Sequence, residues 1–253
     1  MTDEWQPVKS ADRTLEILER LAAHPGRSLV ELARDLDIPK SSLHGILRTM
    51  ARRGWVATDP TGTRFGLGMR ALQVGAAYIE ADDAVGMLAT VLDRLSEELG
   101  ETVHLGRLDG PNVVYMAKRE SIHPLRLYSA IGRHLPAHAT ALGKALLAGL
   151  PAEDVDALLP GPLPALTAHT ITDPGALRAE LDAIAARGWS MDRQENTDGI
   201  VCFAMTVPLR MPATDAISIS IPAARVTAST EERVLDALRR GLAGVRAARA
   251  LLS

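Results

Sequence analysis

The spacing of hydrophobic residues over the first fifty positions predicts three helices. Apolar residues recur at helical intervals over residues 11–23. A second, short helix is expected after Ser28, which stands three residues before Glu31 in the spacing of a capping box. A third helix is expected over residues 39–53, with Gly54 in the left-handed conformation that ends many helices.

The next segment predicts a hairpin and a further helix. Two strand-like runs, residues 55–58 and 64–67, are separated by a turn sequence rich in Pro and Gly. Three helices followed by a hairpin is the order of a winged helix-turn-helix. Residues 69–80 are helical in pattern until Asp82 and Asp83 interrupt them, and we interpret this stretch as a linker helix. The expected boundaries are residues 1–68 for the winged helix-turn-helix domain, 69–83 for the linker helix and 84–253 for a second domain.

The rest of the chain mixes strand-like and helical segments. Helices are predicted over residues 84–100 and 140–149, from Asp173 to 188, and from Ser229, where Glu232 repeats the capping-box spacing. The strand-like runs are residues 102–108, 113–118, 125–131, 189–192, 202–209 and 217–221. Strands in runs, flanked by helices, favour a mixed α/β domain with a mostly antiparallel sheet.

Composition narrows the class of protein. The 253 residues are 47% hydrophobic and 23% charged, as in ordinary globular proteins, so fibrous and bulk-disordered architectures are excluded. The single cysteine, Cys202, excludes an intramolecular disulfide framework and a Cys-rich zinc site. Neither a signal-peptide pattern at the start nor an unbroken apolar stretch long enough for a bilayer is present, so we expect a cytoplasmic protein without membrane contact.

Charge is unevenly distributed along the chain. The net charge is −3, yet residues 34–70 hold seven Lys or Arg against three acids, a local charge of +4 that leaves −7 elsewhere. On the third predicted helix, the packed face is expected to hold Leu43, Ile46, Leu47 and Met50. The opposite face has no acid and consists of Ser41, His44, Gly45, Arg48 and Arg52.

A basic helix face has two interpretations, an ordinary solvated surface or a DNA-binding surface. The helix order, the hairpin and the charge asymmetry together favour DNA binding. In a major groove, Ser41, Ser42 and His44 would read base edges, whereas basic residues would hold phosphates. The predicted DNA-binding residues are Arg13, Lys40, Ser41, Ser42, His44, Arg48, Arg52 and, on the wing, Arg64.

Three longer motifs resemble a known family. They are residues 10–18 followed by 38–44, residues 132–145 (GRHLPAHATALGKA), and residues 188–195 (GWSMDRQE) with Cys202 seven positions further on. With these motifs, nearly the whole chain resembles the isocitrate-lyase-regulator (IclR) family of bacterial transcription factors.

The resemblance implies a winged helix-turn-helix joined by a linker helix to a GAF-like effector-binding domain. Effectors of the family are small metabolites, often organic acids or aromatic compounds. The resemblance also implies homodimers or dimers of dimers on pseudo-palindromic operators. Two departures stand out: many members have arginine where this chain has Gly45, and Phe203 and Pro208 replace the more usual residues near the end of the last motif.

An effector site is predicted where a helix start faces two strands. Small residues over 139–143 would let an anionic ligand approach the backbone N–H groups of a helix. Alternate residues of the strands starting at Cys202 and Ile217 share one face, and the resemblance adds Asp192. The predicted effector-binding residues are Met116, Tyr128, Ala141, Leu142, Gly143, Asp192, Cys202, Thr206, Ser218 and Ser220.

Purely structural interpretations remain open for several of these residues. Cys202 is then a packed strand residue, and Asp192 and Glu195 only tie the loop at 194–199. Lys144 then caps or solvates its helix. His104, His134 and His138 lack metal-ligand spacing, and we interpret them as structural.

The sequence leaves three functions to compare. The first is a transcriptional regulator whose operator affinity a small effector controls. The second is a sensor or scaffold with a degenerate helix-turn-helix, which Gly45 encourages. The third is an enzyme with Cys202 as nucleophile, His138 or His104 as base and Asp192 as orienting group, but a mid-strand thiol is expected to be inert. We therefore expect a regulator rather than an enzyme, without metal or cofactor, with double-stranded DNA, a small effector and a second copy of the chain as partners.

Overall fold

The structure is a computed structural model that describes residues 6–124 and 129–252, with side chains up to residue 245. The chain divides into two compact units, Met1–Ala81 and Asp82–Ser253. Each unit is built around its own elements and is described by itself.

The N-terminal unit contains the predicted helices and hairpin. Its elements are α1 (Lys9–Ala23), β1 (Arg27–Ser28), α2 (Leu29–Asp35), α3 (Lys40–Arg52), β2 (Val56–Thr58), β3 (Arg64–Leu67) and α4 (Met69–Glu80). The predicted capping box is confirmed, because the Ser28 hydroxyl accepts the backbone N–H of Glu31 and the Glu31 carboxylate accepts that of Ser28. Gly54 follows α3 with φ of +76°, the left-handed conformation that the sequence predicted.

A three-stranded antiparallel sheet forms the wing. Its strand order is β1-β3-β2, and the two residues of β1 pair with Phe65 and Arg64 of β3. The hydrophobic pattern did not predict β1, since two residues are too few to show a strand period. The unit packs around a core of apolar side chains, which are Ile17, Leu21, Leu32, Ile38, Leu43, Leu47, Met50 and Val56.

The C-terminal unit contains a six-stranded sheet with helices on its faces. Its elements are α5 (Asp83–Leu99), β4 (Thr102–Asp109), β5 (Asn112–Arg119), β6 (His134–Pro136), α6 (Ala141–Leu147), α7 (Ala152–Leu158), α8 (Pro174–Arg187), β7 (Ser190–Arg193), β8 (Ile200–Thr206), β9 (Asp215–Pro222) and α9 (Ala228–Leu252). No helix in the described ranges is long and apolar enough to span a membrane.

The sheet confirms the predicted mixed α/β class with antiparallel pairing. The strand order is β6-β5-β4-β9-β8-β7, and every neighbouring pair is antiparallel. All eight residues of β9 are buried, so both faces of the sheet are covered at its centre. Helix α6 contacts β7, β8 and β9 on one face, while α5 and α9 contact each other and cover the opposite face.

Two local predictions were wrong, and one helix was not predicted. The described residues 129–131 of the run 125–131 are not a strand, and the sheet edge is formed by β6 a few residues later. The capping box at Ser229 and Glu232 is absent, because α9 starts one residue earlier and the Thr227 hydroxyl accepts the N–H of Thr230 instead. Helix α7 was not predicted, and its seven residues include none that is buried.

Candidate functional site

The outward face of α3 carries the residues that the sequence assigned to DNA. Leu43, Leu47 and Met50 are buried in the core of the N-terminal unit, so the opposite side of α3 faces solvent. Helix α3 contains no acidic residue. All the predicted DNA contacts on α3 are exposed, and they are Lys40, Ser41, Ser42, His44, Arg48 and Arg52.

Gly45 leaves an opening in the middle of this face. A Cβ placed on Gly45 would have no atom within 4 Å. The opening continues into a groove between α1 and α3 that passes Thr14, Leu15 and Thr49. The Leu15 side chain is 58% exposed at the edge of this groove. A partner can therefore approach the α3 backbone more closely at Gly45 than at the neighbouring positions.

The two other predicted DNA contacts lie outside α3. Arg13 is half-buried on α1. Arg64 lies on β3, where its Nη1 donates to the carbonyl oxygen of Gly26 at 2.7 Å and lies 3.9 Å from Oε2 of Glu31. The Arg64 side chain is still 59% exposed. Its guanidinium is thus anchored at one nitrogen while the rest of the group faces solvent on the wing.

A cavity in the C-terminal unit brings together half of the residues that the sequence assigned to an effector. It lies between α6, the sheet and the loop after β7. From the predicted set it is lined by Ala141, Leu142, Asp192, Cys202 and Ser218. Six further lining residues are absent from the predicted set, and they are Tyr115, Leu135, Thr140, Asn196, Thr197 and Ile200.

Antiparallel register explains why these side chains meet. Asp192 pairs with Cys202, and Cys202 pairs with Ser220 on the next strand, so all three lie on one face of the sheet. Ala204 and Ser218 form the next pair along the same two strands and therefore share that face. Helix α6 packs against this face through the small side chain at Ala204.

Met116 does not line the cavity, and Tyr115 does. The pairing of β4 with β5 shifts between Leu105 and Gly106, because Gly106 lies opposite Tyr115 where an even register would place Met116. Such a β-bulge moves the side chains of residues 112–115 of β5 to the face opposite to the one that an even register would give them. Tyr128, the other residue predicted from this half of the sheet, lies outside the described residues.

Three further predicted contacts also lie off the cavity lining. Thr206 is half-buried at the end of β8, and Ser220 stands behind the lining with its hydroxyl 3.2 Å from Sγ of Cys202. Gly143 donates its backbone N–H to Oγ1 of Thr140 at 3.0 Å, because Thr140 caps α6. A Cβ on Gly143 would lie 2.2 Å from the carbonyl oxygen of Ala137, so this glycine permits close backbone packing.

Asp192 is the acidic side chain of the cavity. Its Oδ1 accepts the backbone N–H groups of Glu195 at 2.6 Å and of Asn196 at 3.4 Å, which ties the loop after β7. Burial raises the pKa of Asp192 to about 7. The nearby Glu195 carboxylate also raises this pKa, whereas the hydrogen bond from the Glu195 N–H and the charge of Lys144 lower it. Asp192 therefore ties the loop and lines the cavity at once.

Lys144 is buried rather than solvated. Its Nζ lies 2.5 Å from Oε1 of Glu195, and the Lys144 side chain is 1% exposed. Oε2 of Glu195 is buried without a hydrogen-bond partner among the described residues. The interpretation of Lys144 as a solvated helix residue was wrong, because its charge compensates a carboxylate from the loop after β7.

The Cys202 thiol has the properties of a packed group. Its Sγ donates to Oγ of Ser220, and burial raises the pKa of the thiol, with the Asp192 carboxylate adding to the shift. A nucleophilic cysteine requires the thiolate, which a neighbouring carboxylate disfavours. Nε2 of His138, one of the two candidate bases, is within hydrogen-bonding distance (3.1 Å) of the carbonyl oxygen of Pro164.

His104 packs beside the cavity. Its ring stacks on Tyr115 with centroids 4.2 Å apart, and its Nε2 lies 2.7 Å from Oγ of Ser129. Its Nδ1 lies 3.4 Å from the Ser220 hydroxyl that receives the Cys202 thiol. Burial lowers the pKa of His104 to about 3, and the charge of Lys118 adds to this. The structural interpretation of this histidine agrees with a neutral, hydrogen-bonded ring.

Two family models match the chain. The IclR helix-turn-helix domain matches residues 10–60, and the bacterial transcriptional regulator IclR C-terminal model matches residues 76–244. The chain belongs to the IclR family of bacterial transcriptional regulators. Its N-terminal unit holds the helix-turn-helix of the family, and its C-terminal unit holds the C-terminal domain of the family.

Relatives of this IclR-family chain are named as regulators. HTH-type transcriptional regulator BhcR of Paracoccus denitrificans is 34% identical over 233 residues, which are 91% of this chain and 84% of BhcR. The transcriptional repressor IclR of Escherichia coli is 34% identical over 235 residues, which are 90% of this chain and 84% of that protein. An IclR homolog from Microbacterium hydrocarbonoxydans, crystallised in complex with 4-hydroxybenzoate, has the same fold, with a TM-score of 0.78 at 21% identity over 94% of this chain and 99% of that one.

The position of Gly143 yields a stability test. We expect Gly143→Ala to destabilise the protein by about 1–3 kcal/mol, because the added methyl meets backbone atoms of Ala137 that cannot move aside. Gly86→Ala on α5 is the matched control: nothing lies within 4 Å of its added Cβ, and it should stabilise by about 0.5–1 kcal/mol. Thermal unfolding of the full chain measures both. A Gly143→Ala protein as stable as the wild type would contradict the packing role of this glycine.

Proposed function

We propose that the exposed face of α3 binds the major groove of operator DNA. One observation carries this proposal: the solvent-facing side of α3 is basic and has no acid, because the opposite side packs into the core. An α-helix fits the major groove of B-DNA, and side chains near its N-terminus reach base edges there. The family membership of the N-terminal unit supports the same conclusion.

The side chains divide into two proposed roles. Ser41, Ser42 and His44 stand in the first turns of α3 and read bases. Lys40, Arg48 and Arg52 hold phosphates, which fixes the register on the duplex. The proposed flanking contacts, which lie outside α3, are Arg13 on α1 and Arg64 on the wing.

We further propose that two chains pair through α4. This helix has no buried residue in its own chain, and Met69 and Leu72 are 68% and 65% exposed. Met69, Leu72, Ala76 and Ile79 stand at alternating intervals of three and four, the spacing of a helix that packs against another helix. A second copy of α4 with the same stripe would cover it, and the resulting twofold symmetry suits a pseudo-palindromic operator.

The cavity of the C-terminal unit is the proposed effector site. Its lining combines apolar side chains with hydroxyl, amide and carboxyl groups, which is the usual mixture in sites for small organic molecules. We propose a small organic acid or an aromatic compound as the ligand, which the hydroxyl, amide and carboxyl groups of the lining would orient. A bound effector would change operator affinity by favouring one arrangement of the protein over another.

A chain of ion pairs offers a route from the cavity toward the linker. Strand β9 carries Ser218 at the cavity and Asp215 three residues earlier, where Oδ1 of Asp215 accepts Nε of Arg107 at 2.7 Å. Arg107 also donates to both carboxylate oxygens of Asp82, which caps α5 at the first residue of the C-terminal unit. A shift of β9 on ligand binding would therefore be transmitted through Arg107 to Asp82, where residues 69–83 join the ligand-binding domain.

The proposed division of labour keeps the predicted boundaries. Residues 1–68 bind DNA, residues 69–83 link, and residues 84–253 bind effector and contribute to assembly. A regulator of this kind works on the chromosome, so we propose a cytoplasmic location.

Arg48 provides the test of DNA binding. In fluorescence anisotropy with a labelled duplex from upstream of its own gene, we expect the logarithm of wild-type affinity to fall linearly with the logarithm of salt concentration. Arg48→Ala should weaken binding and reduce the salt slope by about 1, because one phosphate contact is lost.

The matched control is Arg239→Ala. Arg239 is exposed on α9, where it pairs with Asp236, and its removal changes the net charge equally. Binding that responds neither to salt nor to Arg48→Ala would refute the assignment of α3. Equal losses of DNA affinity in both variants would show that only the overall charge of the protein affects binding.

Ser218 provides the test of the effector site. We expect Ser218→Ala to leave operator affinity unchanged without ligand, and to raise about tenfold the concentration of ligand needed for the DNA response, since one hydrogen bond is lost. The ligand is the compound that most raises the melting temperature in a screen of small carboxylic acids and aromatic compounds. Ser229→Ala, exposed at the start of α9, is the control. An unchanged DNA response to ligand in Ser218→Ala would refute the assignment of this cavity as the effector site.

A further inference from the structure

The groove between α1 and α3 is apolar in its middle. Gly45 has no side chain, and the Leu15 side chain on α1 is 58% exposed at the edge of the groove. Thr49 is exposed and lies one turn beyond Gly45 on the same side of α3, where it also lines the groove. We call these three residues, Leu15, Gly45 and Thr49, the apolar notch.

The hydroxyl group of Thr49 is already used inside its own helix. Its Oγ1 donates to the carbonyl oxygen of Gly45 at 3.0 Å. A threonine hydroxyl has a single proton, so Thr49 has no donor left for a base edge, and its methyl group remains for an apolar contact. Thr14, which lines the groove on α1, is occupied in the same way, since its Oγ1 donates to the carbonyl oxygen of Ser10 at 2.7 Å.

Polar side chains stand at the two ends of the groove. Ser41 and Ser42 line it near the start of α3, and Arg53 lines it just beyond the end of this helix. Hydroxyl groups suit base edges, and arginine suits phosphates. A base edge between these two ends would therefore meet the apolar notch.

Thymine carries the apolar group that base pairs present in the major groove. Its C5-methyl projects there, and the methyl group of a threonine side chain is one of its usual contacts. The space for this contact is open at Gly45, because a Cβ placed on Gly45 would have no atom of the described residues within 4 Å. A base edge can thus come close to Thr49 without meeting a side chain at position 45.

We propose that the Thr49 methyl group reads the C5-methyl of one thymine in the operator, and that the missing side chain at Gly45 admits this base edge. Thr49 is then a specificity-determining residue in addition to Ser41, Ser42 and His44. The contact involves no charge, so it adds sequence preference without adding to the salt dependence of binding. This inference rests on the proposed binding of α3 to the major groove.

Replacement of single thymines by deoxyuridine tests the proposal, because uracil pairs with adenine as thymine does but lacks the C5-methyl. The measurement is fluorescence anisotropy of the full chain with the duplex from upstream of its own gene. At one thymine contacted by each copy of α3, we expect the replacement to weaken wild-type binding about fourfold, which is the effect of one buried methyl group. The salt slope should stay the same.

Two variants of Thr49 identify the group that reads this thymine. Thr49→Ser keeps the hydroxyl and removes the methyl, so it should bind the thymine and uracil duplexes equally, about fourfold more weakly than the wild type binds the thymine duplex. Thr49→Val keeps a methyl, removes the hydroxyl and should retain a preference of about fourfold for thymine. The matched control is Thr172→Ser, which makes the same change at an exposed residue of the C-terminal unit and should behave as the wild type.

Three results would overturn the proposal. They are a wild type that loses no affinity at any replaced thymine, a Thr49→Ser variant that still distinguishes thymine from uracil at the sensitive position, and a Thr49→Val variant that no longer does so. The last result would assign the contact to the hydroxyl oxygen. Binding that responds neither to salt nor to Arg48→Ala would instead refute the proposed function of α3, and this inference with it.

Discussion

The buried ion pair between Lys144 and Glu195 is the interaction on which the cavity depends. It joins α6 on one side to the loop after β7 on the other, with Nζ and Oε1 at 2.5 Å. The same loop is held from outside by the Thr170 hydroxyl, which donates to the carbonyl oxygen of Glu195 at 2.6 Å. Removal of one partner of such a pair leaves an uncompensated buried charge, at a cost of about 3–5 kcal/mol. The loop therefore stays closed over Asp192, and Asp192 stays in a poorly hydrated environment.

The two units of the protein use charge in opposite ways. On α3, basic side chains such as Arg48 are exposed, so their pairwise energies are small and salt-dependent. Such charges suit a long polyanion, because many weak contacts add up and release counterions. In the cavity the charge is concentrated in one buried carboxyl, that of Asp192, among the lining residues that the structure describes. The modest net charge of −3 hides both features, since it sums over them.

Local rules predicted the parts of the fold that depend on neighbouring residues. The capping box at Ser28 and the left-handed Gly54 follow from side-chain and backbone chemistry within one turn, and the structure has both. Strand periodicity placed Cys202 and Ser218 at the same cavity wall, because their two strands pair without a shift. Non-local features were not visible. The bulge that places Tyr115 at the cavity instead of Met116 depends on the pairing with β4. The packing role of Gly143 depends on the backbone of Ala137, which an added Cβ would approach to 2.2 Å and which sequence spacing does not reveal.

The central claim is that the exposed side of α3 meets a duplex, and hydrogen–deuterium exchange of the full chain tests it most directly. Exchange is compared with and without an operator duplex at low salt. The account predicts slower exchange in residues 40–52 and around Arg64 on the wing. Protection confined to residues 82–253, with unchanged exchange across α3, would contradict it.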